Sequence, residues 1–174
     1  MSNTMRGPVS AEQIPAFTQQ DLRDRFVVED LLINGEVVAV PTHYDRVVAI
    51  GAVPTFAPLP LLSIPEIRSE YFLEHREIGI VNVGAGGTIT ADGTTFVMAP
   101  EAVLYLGRGT KEVIFASDDA QHPAKYYGFS AAAHTAFANT LATPEEGTIR
   151  ELGDQSTSNR RTLRQVIHEN GIRS

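Results

Sequence analysis

Short apolar runs separated by turn-forming residues constrain the fold of this chain more than any other sequence feature. Asn34-Gly35 and Asp92-Gly93 stand between apolar flanks, and both pairs suit two-residue hairpins because each central residue needs a positive φ. The pattern predicts an all-β fold, namely a sandwich, barrel or jelly roll, rather than alternating strands and helices. The apolar runs cover residues 26–28, 37–40, 47–50, 78–83, 95–98, 103–106, 113–116 and 126–129.

The two ends of the chain lack this pattern. Residues 1–25 form a polar arm that we expect to end in a short helix over "TQQDLRDRF", with Thr18 as its N-cap and Asp21 in the third helical position. The prolines between residues 54 and 65 predict an edge or loop excursion. After Ser130, turn formers and mixed periodicity indicate a linker with short irregular elements. The final "NGIRS" stops at a turn signal, so we expect the chain to be a piece of a longer protein.

Three glycines within four positions, Gly84, Gly86 and Gly87, raise the question of a phosphate-binding loop. A dinucleotide loop requires a third glycine where this chain has Ile89, and a P-loop requires a lysine that does not precede Thr88. The following "TITADGTTF" is typical of strands rather than of a helix. The cluster therefore predicts a strand, a turn and another strand.

Charge and composition exclude several classes of function. The 174 residues include 14 Lys and Arg against 21 Asp and Glu, for a net charge of −7, which argues against nucleic acid or an anionic membrane as the main partner. No stretch resembles a signal peptide or a membrane span, so we expect a cytoplasmic protein. Because there is no cysteine, disulfides and thiolate chemistry are excluded, and a metal site would use His, Asp or Glu.

The densest group of ionisable residues lies in "YFLEHREIGI", which contains Glu74, His75, Arg76 and Glu77. One interpretation is an acid–base or ligand group inside a barrel mouth. The other is strand alternation, in which half of the group is solvated.

Two further groups also have two interpretations. His43 and Asp45 share a face if residues 43–45 form a strand, which permits a hydrogen bond that sets the His tautomer; a structural network is the alternative. Arg160, Arg161 and Arg164 in "TSNRRTLRQ" are able to clamp a carboxylate. A solvated linker or subunit contact is the favoured alternative, because exposed arginines commonly form pairs that have no function.

Four longer blocks make the sequence similar to a known family: "YFLEHREIGIVNVGAGGTITADG", "LYLGRGTKEVIFAS", "PAKYYGFSAAAHT" and "LGDQSTSNRRTL". They resemble the 5-keto-4-deoxyuronate isomerases of pectin and oligouronide breakdown, also called 4-deoxy-L-threo-5-hexosulose-uronate ketol-isomerases. The resemblance implies a bicupin, two tandem β-barrels assembled as a homo-hexamer, of which this chain resembles the N-terminal half. It divides the chain into an arm with a short helix (1–25), a cupin-type jelly-roll barrel (26–135) and an irregular C-terminal linker (136–174) towards a second barrel.

In the family, three histidines and a glutamate of the second barrel bind zinc, so the resemblance implies that this chain holds no metal. Glu77 followed by Gly84 fits the end of the first cupin motif. The two histidine positions of that motif fall near Tyr71 and Leu73, neither of which replaces an imidazole. The barrel is therefore expected to be metal-free and mainly structural.

The second cupin motif aligns with Gly107, Gly109 and Glu112 in "GRGTKE", with Glu112 at the position of the ligand histidine. Glu77 and Glu112 are then expected to face each other inside the barrel, with a basic partner. The basic partner candidates are Arg76, Arg108 and Lys111. The candidate catalytic residues are Glu77, Glu112, His75 and Arg76. The candidate substrate-binding residues are Arg160, Arg161 and Lys111.

The reaction implied by the resemblance converts 5-dehydro-4-deoxy-D-glucuronate to 3-deoxy-D-glycero-2,5-hexodiulosonate by moving protons between adjacent carbons. Zinc in the second barrel would polarise the carbonyl while a carboxylate or histidine moves the proton. Two alternatives stay open. One is a free-standing metal-less cupin that acts as a binding or oligomerisation module. The other is an enzyme like the 5-deoxyglucuronate isomerase of inositol catabolism, which shares the architecture.

Overall fold

A computed structural model describes residues 5–174, which are built mainly of strands, with one α-helix. This confirms the all-β class. No helix in the described part of the chain is long and apolar enough to cross a membrane. The elements are a 3-10 turn at Ile14–Ala16, α1 (Gln19–Phe26), β1 (Val37–Pro41), β2 (Val48–Ala52), β3 (Leu59–Pro60), a 3-10 turn at Pro65–Ile67, β4 (Arg76–Asn82), β5 (Gly87–Ala91), β6 (Thr94–Met98), β7 (Val103–Leu106), β8 (Val113–Ser117), β9 (Tyr126–Ala132), β10 (Thr140–Ala142), β11 (Thr148–Leu152), a 3-10 turn at Gln155–Thr157 and β12 (Arg161–Gln165).

Two antiparallel sheets form the body of the molecule. The larger has the strand order β1-β2-β9-β4-β7-β10 and the smaller has the order β3-β8-β5-β6. From β2 to β9 the chain crosses repeatedly from one sheet to the other. The four strands β2-β9-β4-β7 of the larger sheet therefore pack face to face against β3-β8-β5-β6, with the core between them. This is the connectivity of an eight-stranded jelly roll, which confirms that expectation.

Apolar side chains from both sheets fill the space between them. Ile78 and Ile80 of β4 meet Ile89 of β5 and Phe115 of β8 in one buried cluster. Tyr126 of β9 packs its ring 5.4 Å from that of Phe115. Its hydroxyl donates to the backbone carbonyl of Ala116 at 2.8 Å. A filled interior of this kind stabilises the fold but leaves little room for a ligand between the sheets.

The predicted turns are partly confirmed. Asp92 and Gly93, at φ 46° and 81°, join β5 to β6 as the Asp-Gly pair predicts. Asn34-Gly35 forms a turn in which Glu36 N–H donates to Ile33 O, but it does not connect two strands. The strand predicted at 26–28 is wrong because α1 continues to Phe26, with Thr18 and Asp21 forming the predicted capping box.

Residues 43–45 do not form the strand that the interpretation of His43 and Asp45 requires. Asp45 and Arg46 both lie at positive φ, 49° and 53°, and Val47 N–H donates to Tyr44 O. They form the two-residue turn between β1 and β2, so strand alternation does not bring His43 and Asp45 together. Asp45 suits the first position of such a turn, but Arg46 stands where glycine is preferred, which is why the sequence pattern does not reveal the turn.

The segment after Ser130 is more regular than the sequence indicates. β9 continues to Ala132, and β10 pairs with β7 at the edge of the larger sheet, beyond residue 135. β11 and β12 form a separate two-stranded hairpin. In the proline-rich excursion, β3 is the predicted edge strand, two residues long, beside β8.

Asn82, at the end of β4, links both sheets through its side chain. It is fully buried. Its amide Nδ2 donates to Ala85 O at 2.7 Å and to Met98 O at 2.8 Å. Its Oδ1 accepts from Gly84 N at 3.0 Å and Lys125 N at 3.2 Å. One side chain thus satisfies four backbone groups where β4, β6 and β9 meet, and buried groups of this kind are costly to leave unpaired.

We predict that Asn82→Ala lowers the free energy of unfolding by about 3 kcal/mol, because it leaves several buried backbone groups without partners. Urea titration followed by circular dichroism measures the change. The exposed Asn170 provides the control, and Asn170→Ala should cost less than about 0.5 kcal/mol. Equal stability of the two variants would contradict the role assigned to Asn82.

Candidate functional site: two pockets beside β4

β4 directs successive side chains to opposite sides of the larger sheet. Arg76, Ile78, Ile80 and Asn82 are buried, whereas Glu77 and the other odd-numbered positions are only half-buried on the outer face. The expectation that Glu77 and Glu112 face each other inside the barrel is therefore wrong. Ile78 and Ile80 point towards the core. Because side chains alternate along a strand, Arg76 lies on the same side as these two isoleucines and Glu77 lies on the opposite side.

A cavity of about 390 Å³ lies on the outer face of the larger sheet, here called the outer-face cavity. Its floor is formed by β4, β7 and β9, and its cover includes Ile167 and Ser174. A Cβ added at Gly79 would lie 2.7 Å from Ile167 Cδ1, so the absence of a side chain at Gly79 makes room for that cover. Phe129 and Tyr127, both partly exposed, extend the apolar surface on the same face.

Two polar residues that line the outer-face cavity, Tyr105 and Glu77, are joined by a hydrogen bond. The Tyr105 hydroxyl donates to Glu77 Oε2 at 2.7 Å. Burial raises the pKa of Tyr105, and the hydrogen bond and charge of Glu77 raise it further. The phenol is therefore a fixed donor that holds the carboxylate in place on an otherwise apolar floor.

A second, more polar pocket of about 320 Å³ lies where β4 begins and β9 ends, here called the mouth pocket. The β1–β2 turn supplies His43 and Arg46, and β4 supplies Arg76 with the adjacent His75. Glu66, from the 3-10 turn before β4, is the one carboxylate among the described residues that line it. The pocket therefore combines two guanidinium groups with a single acid.

Arg76 is the buried member of this group, with 7% of its surface exposed. Its Nε donates to Ser130 Oγ at 3.1 Å, and its Nη2 donates to Ser130 O and to Arg46 O, each at 2.8 Å. No Asp or Glu among residues 5–174 lies within ion-pair distance of it. Burial lowers the pKa of Arg76, and the charge of Arg46 adds to the effect.

The other candidates lie apart from these pockets or at their rim. His75 is exposed, with Nε2 3.6 Å from Glu74 Oε1 and Nδ1 3.4 Å from Arg108 Nη2. Lys111 and Glu112 are exposed, and their backbone N–H groups donate to Asp92 Oδ1. Arg160 and Arg161 are exposed at the β11–β12 hairpin. No hydrogen bond or ion pair in residues 5–174 joins these two arginines to Lys111.

The residues present do not form a donor set that suits zinc. Leu73 is fully buried in the apolar cluster and Tyr71 is half-buried, so the two motif positions offer no imidazole. Within the described range 5–174, no group of three or more His, Asp or Glu side chains converges, whereas zinc takes three or four such ligands. The expectation that this chain binds no metal stays a prediction, to be tested by metal analysis.

The glycine cluster has a packing role rather than a phosphate-binding one. Gly87 begins β5, and a Cβ there would collide with Ala116 O and the Tyr126 hydroxyl. A Cβ on Gly84 would collide with the backbone around Lys125. A strand and hairpin follow, which confirms the interpretation as strand, turn and strand.

Sequence reasoning did not identify Tyr105 and Arg46 as pocket residues. Tyr105 lies within the apolar run 103–106. Its neighbours Leu104 and Leu106 belong to the core, and only the alternation of side chains along the strand places Tyr105 on the other face. Arg46 follows His43 by three residues in the sequence. Its position beside the mouth pocket depends on a turn that contains neither Asn nor Gly. The spacing between the runs 37–40 and 47–50 was the one signal for that turn.

The strand order and the filled interior define a jelly-roll barrel of the cupin type. Among solved structures, the chain is similar to the protein Ylba of E. coli, with a TM-score of 0.48 and 12% identity over 70% of this chain and 49% of that one. It is also similar to a cupin protein of Bacteroides fragilis, with a TM-score of 0.43 and 12% identity over 71% and 96%. The jelly-roll assignment follows from the strand order rather than from these similarities.

Sequence comparison is more specific. The chain is 54% identical over 172 residues to a protein of Kineococcus radiotolerans named 4-deoxy-L-threo-5-hexosulose-uronate ketol-isomerase. The aligned segment covers 97% of this chain and 62% of that protein. Proteins with the same name are 46% identical in Bacillus pumilus (97% and 61%) and 44% identical in Formosa agariphila (91% and 56%). No family model matches. The chain is therefore homologous to these ketol-isomerases, as the resemblance predicted, and spans about 60% of their length.

We predict that Tyr105 and Tyr126 ionise only when the chain unfolds. Burial is the main cause that raises both pKa values in the folded state, whereas unfolded tyrosines ionise near pH 10. The stability contribution is complete below about pH 10 and declines as the pH rises above it, because the unfolded state then releases protons that the folded state retains.

Tyrosinate absorbance and circular dichroism, recorded together during an alkaline titration, test this prediction. Of the five tyrosines, two should ionise together with the loss of the folded signal, and Tyr105→Phe should remove one of them. Complete ionisation while the chain stays folded would show that the two phenols are not held as described.

Proposed function

We propose that the protein to which this barrel belongs is a ketol-isomerase that converts 5-dehydro-4-deoxy-D-glucuronate to 3-deoxy-D-glycero-2,5-hexodiulosonate. The observation that carries the proposal is the 54% identity, over 97% of this chain, to a relative that bears the name of that activity. Breakdown of pectin and oligouronides in the cytoplasm is the setting that we propose for it.

The proposed reaction is an internal exchange of oxidation level between two adjacent carbons. A proton leaves the carbon that carries the hydroxyl, an enediol forms, and a proton is delivered to the former carbonyl carbon while the hydroxyl proton moves between the two oxygens. Substrate and product are isomers, so no external oxidant or reductant is needed. The chemistry requires a group that moves the proton and a group that stabilises the oxyanion.

We place that chemistry outside this barrel. The described residues offer no zinc donor set, as argued above, and no step of the reaction is assigned to them. The barrel's proposed role is to support a second, zinc-binding barrel and a homo-hexamer. The partly exposed Tyr127 and Phe129, beside the outer-face cavity, provide an apolar surface of the kind that subunit or domain contacts bury.

A chimera tests the proposal. This chain replaces the matching segment of the Kineococcus radiotolerans relative, and the unmodified relative is the positive control. We expect the chimera to isomerise the substrate within about tenfold of the rate of the control, a loss of no more than about 1.4 kcal/mol in transition-state stabilisation. Proton NMR follows the reaction, and elemental analysis measures zinc. The 174-residue chain alone should show neither activity nor bound zinc.

The possible outcomes separate the parts of the proposal. A folded chimera without activity, beside an active control, would contradict the assignment of this barrel to an isomerase. Stoichiometric zinc on the isolated chain would contradict the location of the metal. Faster turnover of 5-deoxyglucuronate than of 5-dehydro-4-deoxy-D-glucuronate by the chimera would replace the proposed substrate with that of the related enzyme.

A further inference from the structure

The mouth pocket contains a buried guanidinium, that of Arg76, which forms no ion pair with an Asp or Glu of residues 5–174. Arg76 has five N–H donors. Three of them are used on Ser130 Oγ, Ser130 O and Arg46 O. The remaining nitrogen, Nη1, donates to no described residue, and Arg76 lines the pocket. Burial of an unpaired charge is costly, so this arrangement favours an anion supplied from outside.

Arg46 adds a second charge to the same pocket from a strained position. It lies at φ 53° in the second position of the β1–β2 turn, where glycine is strongly preferred. Its carbonyl orients Arg76, but any residue has a carbonyl. The feature that only an arginine supplies is the guanidinium, and Arg46 is one of the residues that line the pocket. Residues held at unfavourable φ values are often found at binding sites.

The remaining walls determine which kind of anion fits. Glu66 lines the pocket together with the two arginines, so these three side chains carry a net charge of about +1, which suits a monoanion better than a dianion. Glu66 accepts hydrogen bonds, and Thr42 and His43 also line the pocket; all three are able to bind hydroxyl groups. A volume of about 320 Å³ is at the small end of the range for ligand pockets.

We propose that the mouth pocket binds a small hydroxylated carboxylate, a sugar acid, with its carboxylate on Arg76 and Arg46 and its hydroxyl groups towards Glu66. Arginine is the side chain best suited to bind a carboxylate through paired N–H groups. This site lies at the end of the barrel where β4 begins and β9 ends. It goes beyond the proposed isomerase function and does not depend on it.

Calorimetric titration of the 174-residue chain tests the proposal. The probes are D-galacturonate, its neutral analogue D-galactose, acetate and inorganic phosphate, at equal ionic strength. D-galacturonate should bind saturably at one site per chain. Acetate should bind at least about tenfold more weakly because it has no hydroxyl groups for Glu66, and D-galactose should not bind, since charged hydrogen bonds contribute at least that factor.

The decisive variant is Arg46→Gly. It keeps the carbonyl that orients Arg76 and places the preferred residue in the turn, so the melting temperature should stay the same or rise. Binding of D-galacturonate should nevertheless weaken at least about tenfold. Arg150→Ala is the matched control, because Arg150 is an exposed arginine on β11, outside the mouth pocket, and it should bind as the unmodified chain does.

Arg76→Lys keeps the charge but loses the planar fork, and it should also weaken binding. Three results would overturn the proposal: absence of saturable D-galacturonate binding, equal binding of D-galactose, or undiminished binding by a folded Arg46→Gly chain. Phosphate that competes as strongly as D-galacturonate would overturn the assignment to a sugar acid.

Discussion

The phase of β4 determines where the side chains of Arg76, Glu77 and Asn82 lie, and with them the polar groups of both pockets. This strand is paired along its whole length with β9 and over four residues with β7, so it cannot rotate without loss of both ladders. Ile78 and Ile80 direct one face of β4 into the core. A shift by one residue would expose both and bury the opposite set. The hydrophobic contacts of two isoleucines therefore determine where Arg76, Glu77 and Asn82 point.

This phase separates the roles of the two faces. Towards the interior, apolar side chains fill the jelly roll, Asn82 satisfies backbone groups at one end of β4, and Arg76 closes the other end. On the outside, Glu77 is held by Tyr105 in a cavity with an apolar floor. The barrel thus combines a centre filled by apolar side chains with polar groups at its end and on its outer face. Such a centre suits a supporting barrel better than one that holds a metal.

The sequence revealed the fold more completely than the site. Seven of the eight apolar runs correspond to strands, because short apolar runs bounded by turn-forming residues are a strong local signal for buried strands. The two-residue β3 and three-residue β10 are too short to give a periodic pattern. The phase of β4 was ambiguous because apolar residues follow on both faces, with Ile78 and Ile80 on one and Val81 on the other. Only packing against the second sheet decides between them.

The phase of β4 is therefore the most direct test of this account, and the absence of cysteine makes the measurement simple. Single cysteines are introduced by Glu77→Cys, Ile78→Cys, Ile80→Cys and Val81→Cys, and the rate of thiol labelling is measured in the folded protein. We expect the thiols at positions 77 and 81 to react under native conditions and those at 78 and 80 to react only after denaturation. The reverse pattern would contradict the placement of Arg76 in the mouth pocket and of Glu77 on the outer face.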